Sequence, residues 1–121
     1  AQKAMEAMLA ANDGKIGLVL ANNDGMAIGC VAALSNIGYN TGAEGAGFIP
    51  VIGVDATDAA KDAIANGTMS ATVLQDGEAM GTAIAAVCLN MAAGNDALAD
   101  TEYVFDETGV AVRIPYAPYE G

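Results

Sequence analysis

Three polar residues follow apolar runs closely enough to form one binding site: Asn23 after Val19-Leu20-Ala21, Asp55 after Val51-Ile52-Gly53-Val54, and Gln75 after Thr72-Val73-Leu74. An amide both donates and accepts, and a carboxylate accepts from two neighbouring hydroxyls. Two amides and a carboxylate therefore suit a neutral polyol such as a sugar better than an anion. A neutral hydrogen bond contributes roughly 0.5–1.5 kcal/mol net and one to a charged group somewhat more. Three such contacts alone bind weakly. A second wall with aromatic faces is expected, and this chain has no Trp.

The competing role for each polar residue is helix capping, in which a side-chain oxygen accepts from the orphan amides of the first turn. Doublets resolve the competition at each tip. Asp24 is placed to cap the helix after Asn23, which leaves Asn23 at the strand tip. Thr57 or Asp58 caps the next helix and leaves Asp55. Asp76 precedes Gly77 and Glu78 in a first turn that favours anions, which leaves Gln75.

The elements that must position these residues follow from hydrophobic period. Residues 1–11 carry Met5, Met8 and Leu9 at helical spacing, and Asn12-Asp13-Gly14 stops them. Residues 16–21, 51–54 and 70–74 read as strands buried on both faces. Residues 25–37, 57–65 and 76–93 read as helices, closed by Gly38, by Asn66-Gly67 and by Gly94-Asn95. Met26, Cys30, Ala33, Leu34 and Ile37 share one face of the second helix, and Met80, Ile84, Val87, Cys88 and Met91 one face of the last. Residues 39–48 form a loop. Repeated βα units give a parallel sheet with right-handed crossovers, whose carboxyl edge is where ligands bind. Residues 103–105 and 110–114 flank Asp-Glu-Thr-Gly and read as an antiparallel hairpin. The fold class is thus α/β, a parallel sheet of βα units with a C-terminal β-hairpin. The alternation starts midway and the sheet is small for so apolar a chain, so an incomplete sheet, a fragment, is expected.

Composition removes several function classes. The chain has 121 residues, 54% of them apolar, and four Lys and Arg against fifteen Asp and Glu give a net charge of -11. Nucleic acid and anionic membranes need clustered cations. No apolar run reaches the roughly 20 residues of a membrane span. With no His and two Cys, a zinc site or a His-based triad is not expected. Cys30 and Cys88 lie on apolar stripes and read as inert thiols, and Met5, Met8, Met26, Met80 and Met91 as core filler. A receiver-like domain would need a Lys after a late strand, whereas the Lys residues are Lys3, Lys15 and Lys61. No glycine-rich nucleotide cradle follows a strand, and no carboxylate pair rises above a capping role. No catalytic residue, metal ligand or cofactor is assigned.

The stretches VLANNDGMAIGCVAAL, IPVIGVDATDAA, GTMSATVLQDGEAMG and VAVRIPY, in this order and spacing, resemble the carboxyl-terminal part of the galactose/glucose-binding proteins. These are type I periplasmic sugar-binding proteins of ABC importers. The resemblance covers nearly the whole chain but less than half of a full-length member. It implies two doubly wound lobes joined by three crossing strands and closing on a monosaccharide. It also implies that residues 1–76 belong to the C-terminal sugar-binding lobe. The helix and hairpin of residues 77–112 would belong to the N-terminal lobe, and residues 113–121 to a crossover segment, with Gln75 and Asp76 close to a hinge.

By position, Asn23 and Asp55 correspond to family sugar ligands. Gln75 stands where the galactose/glucose binders have Asn and the related ribose binders have Gln, which leaves the sugar open. Gly17 occupies the place of a calcium-ligating Glu in enteric members, so no metal site is expected. The stacking aromatics would lie outside this chain. The implied function is a non-catalytic solute-binding protein for a monosaccharide, galactose or glucose first. Its implied partners are the membrane permease of an ABC importer and a chemoreceptor, and either the missing N-terminal portion or a second copy of the chain. The implied location is periplasmic or extracellular, with a lipid anchor at a preceding N-terminus as one arrangement. The alternative is the effector domain of a LacI-type transcriptional regulator, which shares this fold. A small enzyme on a flavodoxin-like fold would need a cofactor pocket that the sequence does not offer.

Overall fold

The computed structural model describes residues 1–121. Four strands form one sheet in the order β1-β2-β3-β4: β1 (Val19–Leu20), β2 (Val51–Val54), β3 (Ala71–Leu74) and β4 (Ala117–Tyr119). The first three are parallel, in the register Val19 to Val51, Ile52 to Ala71 and Val54 to Val73. The fourth runs antiparallel to β3, pairing Thr72 with Tyr119. The helices are α1 (Gln2–Ala11), α2 (Asp24–Ser35), α3 (Asp58–Ala65) and α4 (Gly77–Ala92). The chain divides into two compact units, residues 1–75 with 117–121, and residues 76–116.

In the first unit, α2 and α3 connect successive parallel strands and pack against each other, so both cover the same face of the sheet. Their apolar sides meet α1 and β2 in a core of Met5, Leu9, Ala27, Val31, Leu34, Ile49, Val51, Ala60 and Met69. The loop between α2 and β2 is pinned by the buried Asn40. Its Nδ2 donates to the carbonyls of Ile49 (2.7 Å) and Thr68 (3.0 Å), while its Oδ1 accepts from Ile49 N (2.9 Å). Three side-chain bonds satisfy an amide that burial would otherwise penalise by about 1–3 kcal/mol.

The second unit begins with α4, capped by Asp76 Oδ1 on Ala79 N. Asn90 Nδ2 then folds the following turn back by donating to the carbonyls of Ala97 and Ala99. The segment around Asp-Glu-Thr-Gly makes a tight antiparallel turn joined by the single bridge Phe105 to Val112. Asp106 closes it, accepting from Thr108 N and Oγ1 and from Arg113 Nε.

Several expectations from the sequence need correction. The first strand shrinks to Val19–Leu20, and it is not buried on both faces: Leu18 and Leu20 are 51% and 69% exposed. Of the expected stripe Met26, Cys30, Ala33, Leu34 and Ile37 on α2, Ala33 and Leu34 are in the core and Cys30 packs against it, but Met26 and Ile37 are exposed. Helix α2 also buries Ala27 and Val31, which the stripe left out, while Met26 joins Met8, Leu18 and Leu20 along an open groove of about 300 Å³. The apolar stripe of α4 lies along a second open groove of about 350 Å³ with Phe105 and Val112, and Cys88 there is exposed. Met5 fills the core as expected, but Met8, Met26 and Met91 do not; Met69 does. Apolar periodicity marks the side of a helix that avoids water, and which partner covers it depends on distant chain. The strand β4 falls in the 113–121 segment that the resemblance alone set apart as a crossover, because Ala-Pro-Tyr carries no strand signal of its own.

Candidate functional site

Parallel pairing brings the carboxyl ends of β1, β2 and β3 to one edge of the sheet, and pairing extends past the strand ends through Ala21 N to Ile52 O and Asp55 N to Val73 O. Counting on from Leu20 opposite Ile52 sets Asn23 level with Asp55. Counting on from Val54 opposite Val73 sets Gln75 one residue beyond Asp55. Adjacent strands lie roughly 5 Å apart, so the first and third tips are about 10 Å from each other, a span that suits one small polyol. All three residues lie in the first unit.

At the first tip the capping assignment is the reverse of the expected one. Asn23 is the N-cap of α2, its Oδ1 accepting from Met26 N at 2.8 Å. Its amide nitrogen keeps two donors for a ligand, but its oxygen is committed. Asp24 is the first residue of the helix and is wholly buried. Its Oδ2 accepts from Thr57 N (2.7 Å) and Thr57 Oγ1 (3.0 Å), and its Oδ1 from Thr72 Oγ1 (2.6 Å). No Lys or Arg pairs with it. Three donors together with the positive end of α2 replace water around this carboxylate, which burial without partners would exclude.

At the second tip Asp55 is half-buried, and its carboxylate takes no hydrogen bond or ion pair within the chain. Its backbone has φ 117°, and Ala56 follows with φ 53°. Left-handed backbone at residues other than glycine costs of order 1–3 kcal/mol each, and surrounding structure must hold it. Here Thr72 Oγ1 accepts from Ala56 N (3.3 Å), and Thr57, which caps α3 by accepting from Ala60 N, is tied to Asp24. At the third tip Gln75 follows β3 and is exposed. Asp76 caps α4, as the sequence indicated.

Sequence reading missed the Asp24, Thr57 and Thr72 network. Two signals pointed to it: a glycine inside the buried strand β2, which marks close approach of another group, and a threonine inside β3. Gly53 has no room for a Cβ because the Asp24 carboxylate is there. No group of three or more Cys, Asp and Glu side chains lies close enough to hold a metal ion. An unpaired carboxylate on a strained tip, with amides on the neighbouring strands, can accept from ligand hydroxyls.

The sequence profile of the periplasmic binding protein domain matches residues 1–96. The chain belongs to the periplasmic binding protein family. It is 37% identical over 106 residues to the D-galactose/methyl-galactoside binding periplasmic protein MglB of Haemophilus influenzae, covering 88% of this chain and 28% of that protein. Among solved structures, an ABC transporter solute binding protein from Bacillus halodurans with bound myo-inositol superposes with a TM-score of 0.75 at 32% identity, covering 98% of this chain and 35% of that one. The periplasmic binding component of an arabinose ABC transporter from Shewanella, bound to L-arabinofuranose, superposes with a TM-score of 0.59 at 30% identity over 69% of this chain and 27% of that one. These relatives are binding proteins rather than enzymes. The chain spans about a third of their length, and its sheet of βα units is that of a family lobe.

Proposed function

We propose that this chain supplies the carboxyl-terminal, ligand-facing part of a two-lobed receptor that captures a monosaccharide for an ABC importer. The observation that carries the reading is the Asp55 carboxylate, unpartnered within the chain on a strained strand tip and flanked at strand spacing by Asn23 and Gln75. Asp55 accepts from adjacent sugar hydroxyls, and Asn23 and Gln75 supply amide contacts. Galactose is favoured by the likeness to MglB, named for D-galactose and methyl-galactoside, and glucose is kept beside it from the resemblance of the sequence motifs. Residues 1–76 are assigned to the C-terminal lobe, 77–112 to the N-terminal lobe and 113–121 to a crossover.

In this reading the receptor works in the periplasm or outside the cell. It delivers sugar to a membrane permease and is open to a chemoreceptor. The exposed Leu18 and Leu20 at the β1 edge are covered by the remainder of the C-terminal lobe, or by a second copy when this chain is alone.

Calorimetry of the full-length receptor with galactose, glucose, ribose, arabinose and myo-inositol tests the reading. One of these binds at micromolar affinity or tighter, while the 121-residue chain alone binds at least a hundredfold more weakly. Asp55→Ala weakens binding about 10- to 100-fold, the weight of hydrogen bonds to a charged group. Thr41→Ala, in the loop after α2, leaves affinity unchanged. No binding of any polyol, or equal losses from both substitutions, would show the site to be misplaced.

A further inference from the structure

The Asp24 carboxylate is sealed from solvent, so it cannot touch a ligand at the sheet edge, yet it gathers donors from two other elements. It accepts from the backbone and side chain of Thr57, 33 positions away, and from Thr72, 48 positions away. Thr72 Oγ1, having given its proton to Asp24, accepts from Ala56 N. Thr57 directly follows the left-handed pair Asp55-Ala56, and Thr72 carries the network from Asp24 to the amide of Ala56 within that pair. Gly53 in β2, two positions before Asp55, leaves the space in which the Asp24 carboxylate sits.

The geometry points to Asp24 as a positioning residue for the sugar site: it holds the 55–57 turn in its left-handed form and thereby sets the place of the Asp55 carboxylate. The charge matters because a carboxylate is an acceptor at every lone pair, and three donors converge on it. An amide in its place would set an N–H against the donors of Thr57, or turn one toward Thr72 Oγ1 and reverse that bond, so that the Thr72 proton loses its acceptor. With Asp24 altered, the turn relaxes toward ordinary backbone, and Asp55 loses its fixed aim even though no ligand contact has been removed.

This inference rests on Asp55 being a sugar contact, and the test separates the two. In the full-length receptor, Asp24→Asn is compared with wild type by amide hydrogen exchange and by sugar calorimetry. The Thr57 amide is expected to exchange at least tenfold faster, while the β2 amides keep their protection. Sugar affinity falls about tenfold, and in an Asp55→Ala background the same substitution costs less than twofold, because the two residues act as one unit. Should Asp24→Asn not fold, Thr72→Val removes one arm of the network and is expected to speed exchange at Ala56, with Thr72→Ser restoring it. Unchanged exchange at Ala56 and Thr57, or affinity losses that add with Asp55→Ala, would overturn the role of Asp24. A wild type that binds no sugar would sink the sugar reading, and the exchange data would still decide whether Asp24 holds the turn.

Discussion

Gly53 and Asp24 share one space: a Cβ on Gly53 would overlap Asp24 Oδ1 and would stand 2.9 Å from Met69 Cε and 3.2 Å from Ala27 Cβ. Met69 has a flexible end that can yield, but the carboxylate is held by three hydrogen bonds and Ala27 by its helix. Gly53→Ala is therefore expected to destabilise the fold by about 1–3 kcal/mol or more, the cost of overpacking a core. Urea unfolding measures it. Gly17→Ala, where a Cβ meets nothing within 4 Å, serves as the control and should shift the midpoint little.

Asn23 both caps α2 and stands at a strand tip, and two substitutions separate these roles. Asn23→Ser keeps an oxygen for Met26 N and removes the amide donors. It should leave stability within about 0.5 kcal/mol while weakening sugar binding. Asn23→Ala loses the cap as well and should cost about 0.5–2 kcal/mol of stability. Thermal unfolding and calorimetry on both variants read the two roles independently. Unchanged binding in Asn23→Ser would leave Asn23 as a cap alone.

Asp106 titrates below the ordinary carboxylate range. The Thr108 hydroxyl bond is the largest cause; desolvation opposes it, and the Arg113 guanidinium and the Thr108 amide add further lowering. A carboxyl with a depressed folded pKa contributes stability above its unfolded pKa and loses it as the pH falls through the folded one. The turn of residues 105–112 should therefore open only on the acid side of the usual Asp range. Carbon NMR of the Asp106 carboxyl follows the titration, and Thr108→Val should raise the midpoint more than Arg113→Gln.

The two thiols differ in access. Cys30 is partly buried, and desolvation raises its pKa above that of a free thiol, whereas Cys88 is exposed. Thiolate is the reacting form, so a disulfide reagent at pH 7–8 should modify Cys88 first in the 121-residue chain. Cys30 should follow more slowly, with a pH profile displaced upward. The single variants Cys88→Ser and Cys30→Ser assign each phase.

Sequence alone determined the order of elements from α1 to α4, the parallel alternation and the three polar strand ends. Each is written locally: a β-branched run such as Val51–Val54, an amide or carboxylate where it stops, and a glycine such as Gly38 or Gly94 that permits a left-handed helix end. Tertiary structure decided what local signals leave open. Asn23 and Asp24 are equally good caps by type, and the choice fell to Asn23 because Thr57, Thr72 and the gap at Gly53 receive the Asp24 carboxylate. The covered side of α2 was settled by α1 and β2, which take Ala33 and Leu34 from its apolar stripe and leave Met26 and Ile37 exposed. The addition of β4 depended on pairing with β3 more than forty residues away. Burial and pairing are properties of distant chain brought together, so a carboxylate that resembles a surface cap in the sequence can become the buried centre of the fold.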